Sequence, residues 1–121
     1  MNYLGIDYGK KRIGLAWVQE GLDVVLPFGV VKDIDELAKL IKKEKIDKIV
    51  VGLPIGLDGK ENENTRRVKK FADELKNKIN LPIEFEDERF SSRQADSMGG
   101  DVSRDEKAAM VILSSYLERI G

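Results

Sequence analysis

With 121 residues, 41% of them apolar, the chain has the size of one domain that can bury its own core. It contains no Cys and no His, which excludes disulfides, thiolate and imidazole metal sites, His-based general bases and catalytic triads. Lys and Arg number 21 against 22 Asp and Glu, a net charge of −1, so any nucleic-acid site must be a local basic patch rather than the whole surface.

Three strand-like runs come first. Tyr3 to Ile6 is apolar, and Ile13, Leu15 and Trp17 alternate with smaller or polar residues. Val24 to Val31 is the third, with Pro27 inside it predicting an edge strand, a bulge or a break. Short glycine-containing links (Gly9, Gly21) join them as an antiparallel meander. Asp33-Ile34-Asp35-Glu36 then predicts a capping box, followed by Leu37, Ala38 and Ile41 at helical spacing. Ile49-Val50-Val51 reads as a buried strand ended by Gly52-Leu53-Pro54. A second helix carries Val68, Phe71, Ala72, Leu75 and Ile79 on one stripe. Pro82 precedes a strand from Ile83 to Glu86. Ser91 to Met98 reads as a short helix stopped by Gly99-Gly100, and a final helix runs from near Ser103 to about Arg119.

The order βββ-α-β-α-β-α-α predicts an α/β fold with a mixed five-stranded sheet, antiparallel in its first three strands and parallel thereafter, flanked by helices. Residues 1–121 form one domain. Leu53 to Asn64 is the one long irregular segment, of the kind that carries function in so small a domain. The N-terminus enters a strand directly and no apolar run is long enough to span a bilayer. A cytoplasmic protein with no membrane partner is expected.

Asp7 ends the first strand and precedes Gly9-Lys10-Lys11-Arg12-Ile13-Gly14, a basic glycine turn. That arrangement offers a carboxylate to a metal ion, and backbone N–H groups with positive charge to a phosphate beside it. An ordinary salt-bridged turn is the plainer reading. Glu86-Asp87-Glu88-Arg89 ends the last strand, where ligand sites of α/β sheets collect. Alternation puts Ile83, Phe85 and Asp87 on one face and Glu84, Glu86 and Glu88 on the other, without saying which face holds the site. Asp105 opens the last helix and is not needed for its cap, because Ser103 and Glu106 supply a capping box. It shares a stripe with Ala108, Ala109, Ile112 and Tyr116, which aims it at the rim of the core, where a cation is expected to neutralise it. Three carboxylates without His suit Mg²⁺ or Mn²⁺, and two such ions can drive phosphodiester hydrolysis.

These segments also carry a family resemblance. Gly5-Ile6-Asp7-Tyr8-Gly9-Lys10-Lys11-Arg12-Ile13-Gly14-Leu15-Ala16, Val50-Val51-Gly52-Leu53-Pro54 with Asp58-Gly59, Asp87-Glu88-Arg89-Phe90-Ser91-Ser92, and Asp105 with Ala108-Ala109 and Ile112-Leu113 occur in this order. Together they resemble the YqgF (RuvX) family over essentially the whole chain. The resemblance implies a ribonuclease-H-like fold and a nuclease linked with maturation of the 5′ end of pre-16S rRNA. An earlier proposal for the family is Holliday-junction resolution, which would make branched DNA the substrate. It maps the acidic triad onto Asp7, Glu88 (with Asp87 as the alternate) and Asp105. The stretch from Ser92 to Asp105 is shorter than the basic loop of typical members and holds only Arg93 and Arg104 as cations.

Candidate substrate contacts are Gly9, Lys11, Arg12, Arg66, Arg67 and Arg89, with Lys10, Lys60, Lys69 and Lys70 nearby. A solvated helix face explains Lys69 and Lys70 equally well. Arg12 has a second reading, as the structural partner of a site carboxylate. Tyr8 is placed either to stack a base or to pack on the sheet. Two other functions share these features: an RNA-binding ribosome-assembly factor without catalysis, and an actin-like ATPase. The second needs a two-domain cleft that 121 residues do not provide. The apolar edge from Val24 to Val31 is a candidate homodimer contact.

Overall fold

The computed structural model describes residues 1–19, 21–22, 24–56, 58–87 and 102–120. Its strands are β1 (Tyr3–Tyr8), β2 (Ile13–Val18), β3 (Leu26–Val31), β4 (Lys48–Leu53) and β5 (Ile83–Asp87). Its helices are α1 (Ile34–Lys43), α2 (Glu63–Lys78) and α3 (Arg104–Ile120). They form one mixed sheet in the order β3-β2-β1-β4-β5. β1, β2 and β3 pair antiparallel, whereas β4 runs parallel to β1 and β5 parallel to β4. This is the expected α/β architecture. The helix expected over Ser91–Met98 lies outside the described residues.

Strand boundaries differ from the sequence reading. β4 runs from Lys48 to Leu53, and β5 runs one residue further than expected, to Asp87. Two other differences bear on the site and the sheet edge. β1 continues past Ile6 to Tyr8, because the turn closes late, with the Gly9 N–H donating to the Arg12 carbonyl at 3.0 Å. Asp7 is therefore not a strand terminus but a rung of the ladder opposite Gly14. β3 begins at Leu26 rather than Val24. Pro27 sits in this edge strand opposite Ala16, next to a register shift at Leu15/Ala16, as expected of a residue that has no N–H to donate.

Helices cover both faces of the sheet. Leu4, Ile6, Leu15, Ile49 and Val51 point to one side, where they meet Leu37 and Ile41 of α1 and Val68, Phe71 and Leu75 of α2. Val18 and Val50 point to the other, against Ile112, Leu113 and Tyr116 of α3. Each such fully buried aliphatic side chain is worth about 1.5–3 kcal/mol.

The helix starts are set by their caps. The Asp33 carboxylate accepts from the Glu36 N–H at 2.9 Å. Glu36 reaches back one residue further than a capping box requires, to the Lys32 N–H at 3.3 Å. α2 begins with a capping box that the pattern reading missed, Asn62 with Thr65. Thr65 is fully buried and also donates to the Pro54 carbonyl, which ties the long loop to the helix.

Candidate active site

α3 lies very close to β1 and β2 because two glycines permit it. A Cβ on Gly5 would meet Leu113 Cβ at 2.8 Å and the Ala109 carbonyl oxygen at 3.0 Å. A Cβ on Gly14 would lie 2.1 Å from the Asp105 carbonyl oxygen. The glycines flanking the basic turn thus serve helix approach as much as loop geometry. Gly9 is structural too, because its N–H closes the turn and that donor is not available to a phosphate.

This close approach assembles two of the candidate acids. Residues 3, 5 and 7 of β1 face α3: Gly5 lies beneath Ala109 and Leu113, and the Tyr3 ring lies 6.2 Å from that of Tyr116. Asp7 follows the same alternation. Its ladder partner Gly14 lies directly under the first residues of α3, at Asp105. Cross-strand partners share a face, so Asp7 and Asp105 both lie on the α3 side of the sheet, near the Gly14 position. Ser103 and Glu106 hold this end of the helix. The Glu106 N–H donates to Ser103 Oγ at 3.2 Å, and Glu106 Oε2 accepts from the Gly29 N–H of β3 at 2.8 Å.

Arg12 pairs with a site carboxylate, the contact its second reading calls for. Its Nε donates to Asp105 Oδ2 at 2.9 Å; the guanidinium side chain is 63% exposed and the carboxylate 26%. The cation expected beside Asp105 is therefore supplied by the β1–β2 turn itself. Lys11 projects to the opposite face of the same turn, into a cavity lined by Tyr8 and Phe71.

The last-strand acids divide by face. Glu84 and Glu86 point towards α3. The buried Glu86 carboxylate accepts from Ser115 Oγ and from Arg119 Nε, each at 2.9 Å. Glu84 accepts from Tyr116 Oη and pairs with Lys48 Nζ at 2.8 Å. These hydrogen bonds, that of Lys48 first, lower the Glu84 carboxyl below its ordinary range, and Glu84 in turn raises Lys48. Burial raises the Tyr116 hydroxyl. Asp87 shares parity with Ile83 and Phe85 and so faces away from Asp7 and Asp105. Glu88 and Arg89 lie outside the described residues. Among those described, no three acids form a metal-sized cluster.

The remaining candidates separate in the same way. Arg67 turns inward: its guanidinium lies 4.7 Å over the Tyr8 ring and donates to the Tyr8 carbonyl at 3.4 Å. Its Nε is buried without a hydrogen-bond partner among the described residues. Tyr8 packs on the sheet, stacked on Phe71 at 4.1 Å. Arg66 is exposed at the start of α2. Sequence reasoning missed the Ser115–Glu86–Arg119 clamp, whose only signal was the alternating Glu84 and Glu86 on a strand of undecided face.

A family model described as RuvX, Holliday junction resolvase, matches residues 1–119. A protein of Dictyoglomus turgidum with the provisional name of pre-16S rRNA nuclease is 38% identical over 139 residues, covering 99% of this chain and 96% of its own length. One of Streptococcus thermophilus with the same provisional name is 33% identical, covering 99% of each. Among solved structures, Thermus thermophilus RuvC in complex with a Holliday junction substrate has a TM-score of 0.69 at 15% identity, covering 100% of this chain and 97% of that one. At that identity the likeness establishes the fold, which is ribonuclease-H-like.

Proposed function

The chain belongs to the RuvX family, and from that membership we propose that it is a metal-dependent nuclease that hydrolyses phosphodiester bonds in RNA, with the 5′ end of pre-16S rRNA as its substrate. The observation that carries this reading is the placement of Asp7 and Asp105 on one sheet face with Arg12 bound to Asp105.

The donor set fits a hard divalent cation. Both acids offer only carboxylate oxygens, and the Arg12 guanidinium shows that a positive charge is accommodated against Asp105. Asp7 and Asp105 would hold the ion, with a third acid from the end of β5. Glu88 is preferred over Asp87, because Asp87 has the parity opposite to Glu84 and Glu86, which face α3. When bound, Mg²⁺ or Mn²⁺ supplies water activation and stabilises the leaving oxygen. The chain's own residues orient the reactants. Ser103, Glu106 and Gly14 fix Asp105 over β2. Arg12 balances the Asp105 charge and is exposed enough to donate two hydrogen bonds to a phosphate instead. Lys11 adds charge on the far side of the turn.

The test is cleavage of a pre-16S rRNA fragment by purified protein with Mn²⁺ or Mg²⁺. Asp7→Asn is expected to abolish it. Equal cleavage by wild type and variant would refute the assignment. Salt-dependent RNA binding with no cleavage in any divalent ion would select the non-catalytic assembly-factor reading instead.

A further inference from the structure

The β1–β2 turn divides its cations between the two faces of the sheet. Arg12 goes to Asp105 on the α3 side. Lys10 and Lys11 line a cavity of about 200 Å³ on the other side, joined by Lys32 from the link between β3 and α1. None of these three ammonium groups has an ion-pair partner among the described residues. Two acids, Asp33 and Glu74, also line the cavity, so three lysines against two carboxylates leave it with an excess of positive charge. The Asp33 carboxylate is turned to the Glu36 N–H as the α1 cap. The rest of the lining is apolar and partly aromatic: the stacked pair Tyr8 and Phe71, with Ile13 and Ile34.

An apolar lining under a rim of lysines matches a ligand that is apolar at one end and anionic at the other. We propose that this cavity takes a nucleotide unit of the bound strand, its base against the partly exposed edges of Tyr8 and Ile34 and its phosphate at Lys10, Lys11 and Lys32. Position supports the assignment. Asp7 and Tyr8 are consecutive and point to opposite faces, so a strand at the acids reaches the cavity by crossing only the Gly9–Arg12 turn. The inference rests on the nuclease reading for the presence of a strand at Asp7. It adds a pocket that anchors a neighbouring nucleotide on the far side of the sheet.

The test uses single-stranded RNA carrying 2-aminopurine at one position at a time, bound to Asp7→Asn in EDTA so that cleavage plays no part. A fluorescence change confined to one position is expected when that base enters the cavity. The double variant Lys10→Glu/Lys32→Glu, made in the Asp7→Asn background at two exposed positions, is expected to abolish that change. It should also weaken binding at least tenfold and reduce the log–log salt slope by about 0.7 for each lost lysine–phosphate contact. Circular dichroism confirms that the variant is folded. Unchanged affinity, salt slope and fluorescence in the double variant would overturn the proposal. Thermal stabilisation by guanosine monophosphate, with no position-specific change in RNA, would overturn its assignment to a strand. Should wild type fail to cleave while the 2-aminopurine response persists, the nuclease reading falls and the pocket stands.

Discussion

Gly14→Ala is the sharpest test of how the site is assembled. The added methyl would lie 2.1 Å from the Asp105 carbonyl oxygen, 2.4 Å from its carbonyl carbon and 2.9 Å from its Cβ. An ordinary carbon–oxygen contact is about 3.3 Å, so the first turn of α3 must withdraw by about 1 Å. Two of the three opposing atoms are backbone, so no rotamer change relieves the clash. Overpacking of this kind costs about 1–3 kcal/mol, and the rigid neighbour places this case near 3. The lower freedom of alanine in the unfolded chain offsets about 1 kcal/mol at most. A net loss near 2 kcal/mol lowers Tm by about 8 °C in a domain of this size. The same withdrawal separates Asp105 from Asp7, and a displacement of about 1 Å can cost on the order of 100-fold in rate. Thermal melts by circular dichroism read the first effect. Mn²⁺ titration calorimetry and RNA cleavage read the second. Gly5→Ala, which meets Leu113 and Ala109 further along α3, should lower Tm with a smaller effect on Mn²⁺ affinity. An unchanged Tm and unchanged Mn²⁺ affinity in Gly14→Ala would refute the claim that this glycine seats Asp105 beside Asp7.

Arg12→Ala should cost about 1 kcal/mol or slightly more, since Arg12 is largely exposed but the Asp105 carboxylate it leaves unpaired is only 26% exposed. It should strengthen Mn²⁺ binding while slowing cleavage, because the competing cation and the phosphate donor are the same group; weaker Mn²⁺ binding would refute the exchange. Stability should also depend on pH through the α3–β5 contact. The folded Glu84 carboxyl is lowered from 4.5, so its contribution is present above about that pH and is lost as pH falls through the lower folded value. Lys48 is raised, so its contribution is present up to the ordinary lysine range and is lost as pH rises through the higher folded value. Lys48→Met should therefore flatten both the acid and the alkaline limbs of a urea-stability profile, and an unaltered profile would remove the pair from the account.

The chain order, the helix stripes and the cap at Asp33 were legible from residue spacing alone, because period and capping are local properties. So was the choice of chemistry. Without His or Cys, the acids Asp7 and Asp105 were left with hard cations, lysine or arginine as charged partners. What spacing left open was the facing of each strand, since alternation divides residues into two sets without saying which helix covers which set. Tertiary packing settled that for β5: α3 contacts Glu84 and Glu86, which turns Asp87 away from Asp7. It placed Tyr8 and Arg67 together with Phe71 in the α2 layer. It also paired Arg12 with Asp105, 93 residues away, a distance no local pattern reaches. Gly5 and Gly14 show the same division. Their places in the motif were plain from the sequence, but their reason is the carbonyl and side chain of a helix that passes within reach only after the sheet has formed.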